Sequence, residues 1–131
     1  MLTARDIMSE SVLTISPEAT VQDAIETLLS KKISGLPVVD TNGQLVGIIT
    51  EFALLAMAYD VDVRQERIRK HMTTEVISVN PDDPIRKVAD TCIIRRVHRV
   101  AVVEEGRVIG LISRRDVLKG IYENTMQACV L

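Results

Sequence analysis

Gly110-Leu-Ile-Ser113-Arg-Arg-Asp116 is the stretch of this sequence best equipped for chemistry. It runs from the end of a strand-like pattern into a helical one, and it sets a hydroxyl and a carboxylate three residues apart with two arginines between them. Unsatisfied backbone N–H groups at a helix start attract an anion. Ser113 and Asp116 at this spacing can face one cleft, and Arg114 and Arg115 are candidate phosphate partners, an assembly suited to a nucleotide. The same Ser-x-x-Asp spacing is also a helix capping box that needs no ligand. A second basic spot, Val97-His98-Arg99-Val100, offers an imidazole that ordinarily titrates near pH ~6.5 beside a guanidinium. It reads either as a phosphate contact or as a solvated loop pair.

Both spots have counterparts earlier in the chain, because the sequence says nearly the same thing twice. Met8-Ser-Glu-Ser-Val-Leu-Thr-Ile-Ser-Pro17 returns 64 residues later as Met72-Thr-Thr-Glu-Val-Ile-Ser-Val-Asn-Pro81. After a one-residue deletion, Gly43-Gln-Leu-Val-Gly47-Ile-Ile-Thr50 aligns with Gly106-Arg-Val-Ile-Gly110-Leu-Ile-Ser113. Two copies make a paired module rather than a solenoid. The first copy keeps the hydroxyl as Thr50 but has Ala53 where the second has Asp116, and it has Ser34-Gly35 where the second has His98-Arg99.

Each copy alternates strand and helix periodicities. Short β-rich segments at Val12–Ser16 and Val76–Val79 precede helices whose apolar stripes are Val21, Ala24, Ile25, Leu28 and Leu29, then Ile85, Val88, Ala89, Cys92 and Ile93. Thr20 with Asp23 reads as a capping box, and Asp83 caps the second helix with Pro84 in its first turn. Apolar runs split at Asn42-Gly43 and at Glu105-Gly106 read as β-hairpins. Being apolar on both faces, they need helical cover, which the periodicity assigns to Phe52, Leu54, Leu55 and Met57 in one copy and to Val117, Leu118 and Ile121 in the other. The unit is β-α-β-β-α, occurring twice, with a polar connector over 58–67. This divides the chain into 1–60 and 61–131.

Composition bounds the rest. The 131 residues are 47% hydrophobic, enough for one compact core or for two small halves sharing one. No apolar run approaches the ~18 residues of a membrane span, and the start lacks the order of a signal peptide, so the chain reads as cytoplasmic with no membrane partner. The net charge of −2 conceals an asymmetry: residues 1–63 carry three basic and nine acidic side chains, residues 64–119 thirteen and eight. An anion therefore belongs in the second half. One Phe and two Tyr give little surface for stacking bases, which argues against nucleic acid. No nucleophile motif, metal spacing, phosphate loop or dinucleotide fingerprint occurs, which argues against an enzyme. His71 reads as exposed, Cys92 as a small buried hydrophobe, and Cys129 as uninformative.

The duplicated unit, with Leu36-Pro-Val-Val-Asp40 and Gly47-Ile-Ile-Thr50, resembles the CBS (cystathionine-β-synthase) domain pair, or Bateman module, from Ala4 to Ile121. The resemblance implies an α+β fold of two tandem repeats packed with pseudo-two-fold symmetry, and clefts between them that bind AMP, ADP, ATP or S-adenosylmethionine as regulatory ligands rather than cofactors. It gives Ser113 a phosphate or ribose contact and Asp116 the ribose hydroxyls. It draws the base pocket from the other copy, Ser16, Val21, Ile33, Ser34 and Pro37, with Ile112 of the second copy completing its floor. The cleft holding Thr50 lacks the ribose carboxylate, and His98 and Arg99 would supply phosphate contacts there. The resemblance further implies a homodimer formed through helices and an effector protein regulated in trans. The rival reading is a ligand-free dimerisation module.

Overall fold

The computed structural model describes residues 1–130, and side chains through residue 126. Along the chain run α1 (Ala4–Ile7), α2 (Val21–Lys31), β1 (Gly35–Val39), β2 (Leu45–Thr50), α3 (Glu51–Met57), α4 (Val61–Arg64), a 3-10 turn (Ile68–Lys70), β3 (Ser78–Val79), α5 (Ile85–Arg95), β4 (Arg99–Glu104), β5 (Arg107–Ser113) and α6 (Arg114–Val130). The elements form two α+β units, residues 13–76 and residues 1–12 with 77 onward. These units cut across the division at residue 60. Each holds one repeat's helices and hairpin, closed by the segment that precedes the other repeat.

That exchange is built the same way on both sides. In the second-repeat unit, the Ala4 N–H donates to the Asp83 carbonyl and the Arg5 N–H to the Pro81 carbonyl, each at 2.9 Å. Ala4 is wholly buried among Val79, Val88, Val100 and Ile112. Sixty-four residues on, Ile68 and Arg69 donate to the Ala19 and Pro17 carbonyls at 2.8 and 2.9 Å, and Ile68 fills the first-repeat core beside Val21, Leu36 and Val38. The lead-ins then pair with the outer hairpin strands: Ser9 exchanges two backbone hydrogen bonds with Leu111 on β5, and Thr73 two with Ile48 on β2. Satisfying these strand edges from within the chain removes a template for aggregation.

The close approach explains two glycines. A Cβ on Gly110 would lie 2.5 Å from the Met8 Sδ, and one on Gly47 2.7 Å from the Met72 Sδ and 2.9 Å from the Thr73 carbonyl oxygen. A second device is also duplicated. Lys32 and Arg96 end α2 and α5 in the left-handed region at φ 55° and 52°. The next N–H then reaches back to the Leu28 or Cys92 carbonyl, at 3.2 or 3.3 Å.

The hairpins differ in their turns. Glu105 and Gly106 both have positive φ and make a two-residue turn. In the first copy the Asp40 carboxylate accepts from the Asn42 and Gln44 N–H groups around Gly43. Both hairpins carry a register shift, at Val38/Val39 and at Val102/Val103. Pro37 sits mid-strand without a lost bond: its carbonyl accepts from Ile15, and the next ladder bond on that side comes from the Val39 N–H.

Several sequence expectations change. The first β-rich segment reduces to a single parallel bridge, Ile15 with Val38. Thr20 and Asp23 do form a capping box, but Pro84 itself takes the α5 cap position, and Asp83 instead accepts from the Asn80 N–H. Of the residues expected to cover the hairpins, Leu54 and Val117 are buried, whereas Phe52, Leu55, Leu118 and, less fully, Ile121 are exposed, as are Leu29 and Ile93 on α2 and α5. A helix on a two- or three-stranded sheet buries only a narrow stripe. His71 is part-buried against the Glu66 carboxylate at 3.1 Å, and Lys70 and His71 hold that carboxylate below its usual range. Cys92 is buried as read, and the Cys129 side chain lies outside the described residues.

Gly47→Ala is expected to cost about 1–3 kcal/mol by overpacking, more than Gly110→Ala, because a backbone carbonyl yields less readily than a methionine end. Chemical denaturation of both variants checks the order. Lys32→Gly and Arg96→Gly should each raise stability by up to about 1 kcal/mol, since glycine takes the left-handed cap without Cβ strain.

Candidate functional site

β5 passes directly into α6, so Ser113 caps the helix and Asp116 closes its first turn. The Ser113 Oγ accepts from the Asp116 N–H at 3.1 Å, and the Asp116 Oδ2 accepts from the Ser113 N–H at 2.9 Å. The capping box is thus formed without any ligand, and it uses one oxygen of the carboxylate. The Arg114 N–H donates to the His98 carbonyl at 2.9 Å. Two N–H groups of the first turn are therefore already engaged, so the helix start alone offers an anion less than its sequence suggests. What the fold adds is cationic. Arg99 lies directly across the hairpin from Ser113, and the Arg114 Nη2 is 2.5 Å from the His98 Nδ1, which must accept in that contact. Arg114 also bears on Cys92: burial pushes the thiol up, and the guanidinium opposes this in part.

The first-repeat unit has the same scaffold with different groups. The Glu51 N–H donates to the Ser34 carbonyl at 2.9 Å, Gly35 lies across from Thr50, and the Thr50 Oγ1 accepts from the Ala53 N–H at 3.3 Å. Residue 53 is alanine, and Ser34 and Gly35 stand where the second copy has His98 and Arg99.

The structure sorts the candidates. Ser113, Arg114, Asp116, His98 and Arg99 come together in the second-repeat unit, with Arg115 exposed on the first turn of α6. His98 and Arg99 were read with Thr50 as phosphate contacts of the cleft without the carboxylate, or as groups that a neighbouring ligand's phosphates reach; within its own unit His98 contacts Arg114, because the corner before β4 abuts the start of α6. Val21 and Ile112 are wholly buried in the two cores, so neither side chain presents a surface to a ligand. Pro37 is also buried, within the β1 ladder. Ser16 is exposed and accepts from the Glu18 N–H at 3.1 Å, while Ile33 and Ser34 are half-buried. These three belong to the first-repeat unit. The Arg99–Ser113 pairing escaped the sequence, since counting outward from the Glu105-Gly106 turn sets Arg99 against Ile112; the bulge shifts it by one.

The CBS domain family model matches residues 4–59 and 66–123, and the chain belongs to that family, with two copies of the domain. An uncharacterized protein of Methanocaldococcus jannaschii is 36% identical over 88% of the chain, and the inosine-5′-monophosphate dehydrogenase of the same organism is 35% identical over 88%. The chain spans 41% and 23% of these two relatives. Among solved structures, CBSX2 in complex with AMP superposes with a TM-score of 0.86 at 26% identity, covering 95% of this chain and 99% of that one. Another solved CBS domain pair, in complex with 5′-methylthioadenosine and S-adenosyl-L-methionine, gives 0.80 at 29% identity, covering 95% and 98%.

With its pKa raised by burial, Cys92 is held as the neutral thiol at neutral pH, and a thiol reagent should modify the native protein far more slowly than the denatured one. The sign is that of a group favoured protonated in the fold: its stabilisation is complete below the ordinary thiol pKa and is lost as pH rises through the raised one. A native Cys92 that reacts as fast as a free thiol contradicts the burial.

Proposed function

We propose that this chain is a regulatory module that binds an adenosine-containing ligand through its second repeat and passes the state of occupancy to a partner protein. The observation that carries the reading is the Ser113–Asp116 pair framed by His98, Arg99 and Arg114. The second Asp116 oxygen accepts ribose hydroxyls, and the cations take phosphate or another anionic group. Charge-assisted hydrogen bonds of this kind contribute roughly 1.5–3 kcal/mol each, which suits a carboxylate to a diol. The AMP and S-adenosylmethionine held by similar CBS structures support the ligand class. The dehydrogenase relative supports a regulatory role. The first repeat, with Ala53, holds no ribose in this reading.

Binding shifts a partner only to the extent that the ligand distinguishes two conformations of the module. The partner acts in the same compartment, which we take to be the cytoplasm, and the module works as a homodimer through its exposed helices.

Thermal unfolding with AMP, ADP, ATP and S-adenosylmethionine tests this. A ligand at about 100 times its Kd stabilises by roughly 2.7 kcal/mol. Asp116→Ala should abolish that increment, and Asp23→Ala, which breaks the Thr20–Asp23 capping box of α2, should leave it intact. Each substitution lowers the ligand-free stability by about 1 kcal/mol through the lost cap. No stabilisation by any of the four favours the ligand-free structural role, and an increment that survives Asp116→Ala moves the site elsewhere.

A further inference from the structure

Both histidines of the chain lie against a charged group, and a proton acts on the two contacts in opposite senses. The part-buried His71 has its Nε2 3.1 Å from the Glu66 carboxylate, a contact that a protonated imidazole strengthens. The exposed His98 has its Nδ1 2.5 Å from the Arg114 Nη2. A guanidinium donates and never accepts, so this second contact exists only while Nδ1 carries no proton. The backbone fixes the pair side by side, because the Arg114 N–H donates to the His98 carbonyl at 2.9 Å. The first repeat keeps that backbone bond with Glu51 and Ser34, and so carries neither the guanidinium nor the imidazole there. Around His98 in its own unit stand Arg95 and Arg96 at the end of α5, Arg99 beside it on β4, and Arg115 and Asp116 on α6, with one Asp116 oxygen committed to the Ser113 N–H. The Cys92 thiol, which also feels the Arg114 charge, is kept neutral by burial.

We infer that His98 is a proton-operated latch on Arg114: the neutral imidazole holds the guanidinium, and the protonated one releases it to an anionic group of the ligand. The inference rests on the reading of the second repeat as the ligand site and adds how that site is regulated. Protonation removes the Nδ1 lone pair and sets a second cation against Arg114, so the two side chains separate unless an anion lies between them. A phosphate oxygen placed there accepts from both. The anion thereby stabilises the protonated imidazole, and by reciprocity the proton strengthens anion binding by the same factor. Ligand binding therefore draws a proton onto the protein, and affinity rises as pH falls. A neutral adenosyl compound such as 5′-methylthioadenosine gains nothing from the latch.

Nitrogen NMR of the imidazoles in the full chain reads the latch, with His71→Gln telling the two histidines apart. Inorganic sulfate is the first probe, because it keeps one charge across the range from about pH 6 to about pH 8 in which an imidazole titrates. The expected result is a bare Nδ1 on His98 without ligand and, with saturating sulfate, a His98 titration displaced to higher pH while that of His71 stays in place. In calorimetry, the gain in ATP affinity from the alkaline to the acid end of that range should be roughly fivefold larger for the wild type than for His98→Asn, whose own pH dependence reports the protons of the nucleotide. Binding of 5′-methylthioadenosine should be equal at both ends. A ligand-free His98 that carries its proton on Nδ1, a titration that sulfate leaves in place, or one pH dependence shared by wild type and His98→Asn overturns the latch while ATP binding stands. A displaced His98 titration with no adenosyl ligand bound keeps the latch and sinks the ligand reading instead. Binding of neither sulfate nor nucleotide at either pH overturns both.

Discussion

Each repeat of this chain is completed by the segment that introduces the other, and most of the structure depends on that exchange. Met8 lies over Gly110 and Met72 over Gly47. Around each contact a lead-in supplies a core residue, caps a strand edge and anchors the turn before a helix. A repeat of this size buries too little surface to be secure alone. Borrowing the neighbour's lead-in enlarges both cores and ties the stability of one unit to the chain that leads into the other.

The scaffold therefore keeps its symmetry, and its substitutions concentrate where they cost little stability. The corner before the first hairpin strand holds the first N–H of the following helix in both copies, through the Ser34 carbonyl in one and the His98 carbonyl in the other. A backbone bond tolerates any side chain, so this corner is free to carry Ser-Gly or His-Arg. The hydroxyl that caps the helix is retained as Thr50 and Ser113 because the cap needs it in either case. The carboxylate is different. Asp116 closes a capping box with one oxygen and has a second that the box does not use, whereas Ala53 has neither. The ionisable groups at these positions lie in one copy, and the backbone bonds of the other are kept.

What could be read from the sequence follows the same physics. The duplication, the hairpin turns, the Thr20–Asp23 box and the Ser113–Asp116 pair were legible because each is a local pattern with a fixed spacing. The bulges at Val38/Val39 and Val102/Val103 were not, since a bulge leaves no mark in an apolar run, and the second decides that Arg99 rather than His98 lies across from Ser113. Nor was the swap of lead-ins legible: the repeat of Met8 at Met72 shows that the segments are equivalent, not which hairpin each one closes. Helical periodicity also made the apolar faces of α3 and α6 look like core. Leu55 and Leu118 obey the same spacing whether they meet a sheet or another protein.

The central claim is that two copies of one scaffold hold a single ribose-competent site. Calorimetric titration of the wild-type chain with AMP, ATP and S-adenosylmethionine counts that site most directly. One molecule bound per chain, and none to Asp116→Ala, is the predicted result. Two equivalent molecules per chain, or one that persists without the Asp116 carboxylate, would contradict it.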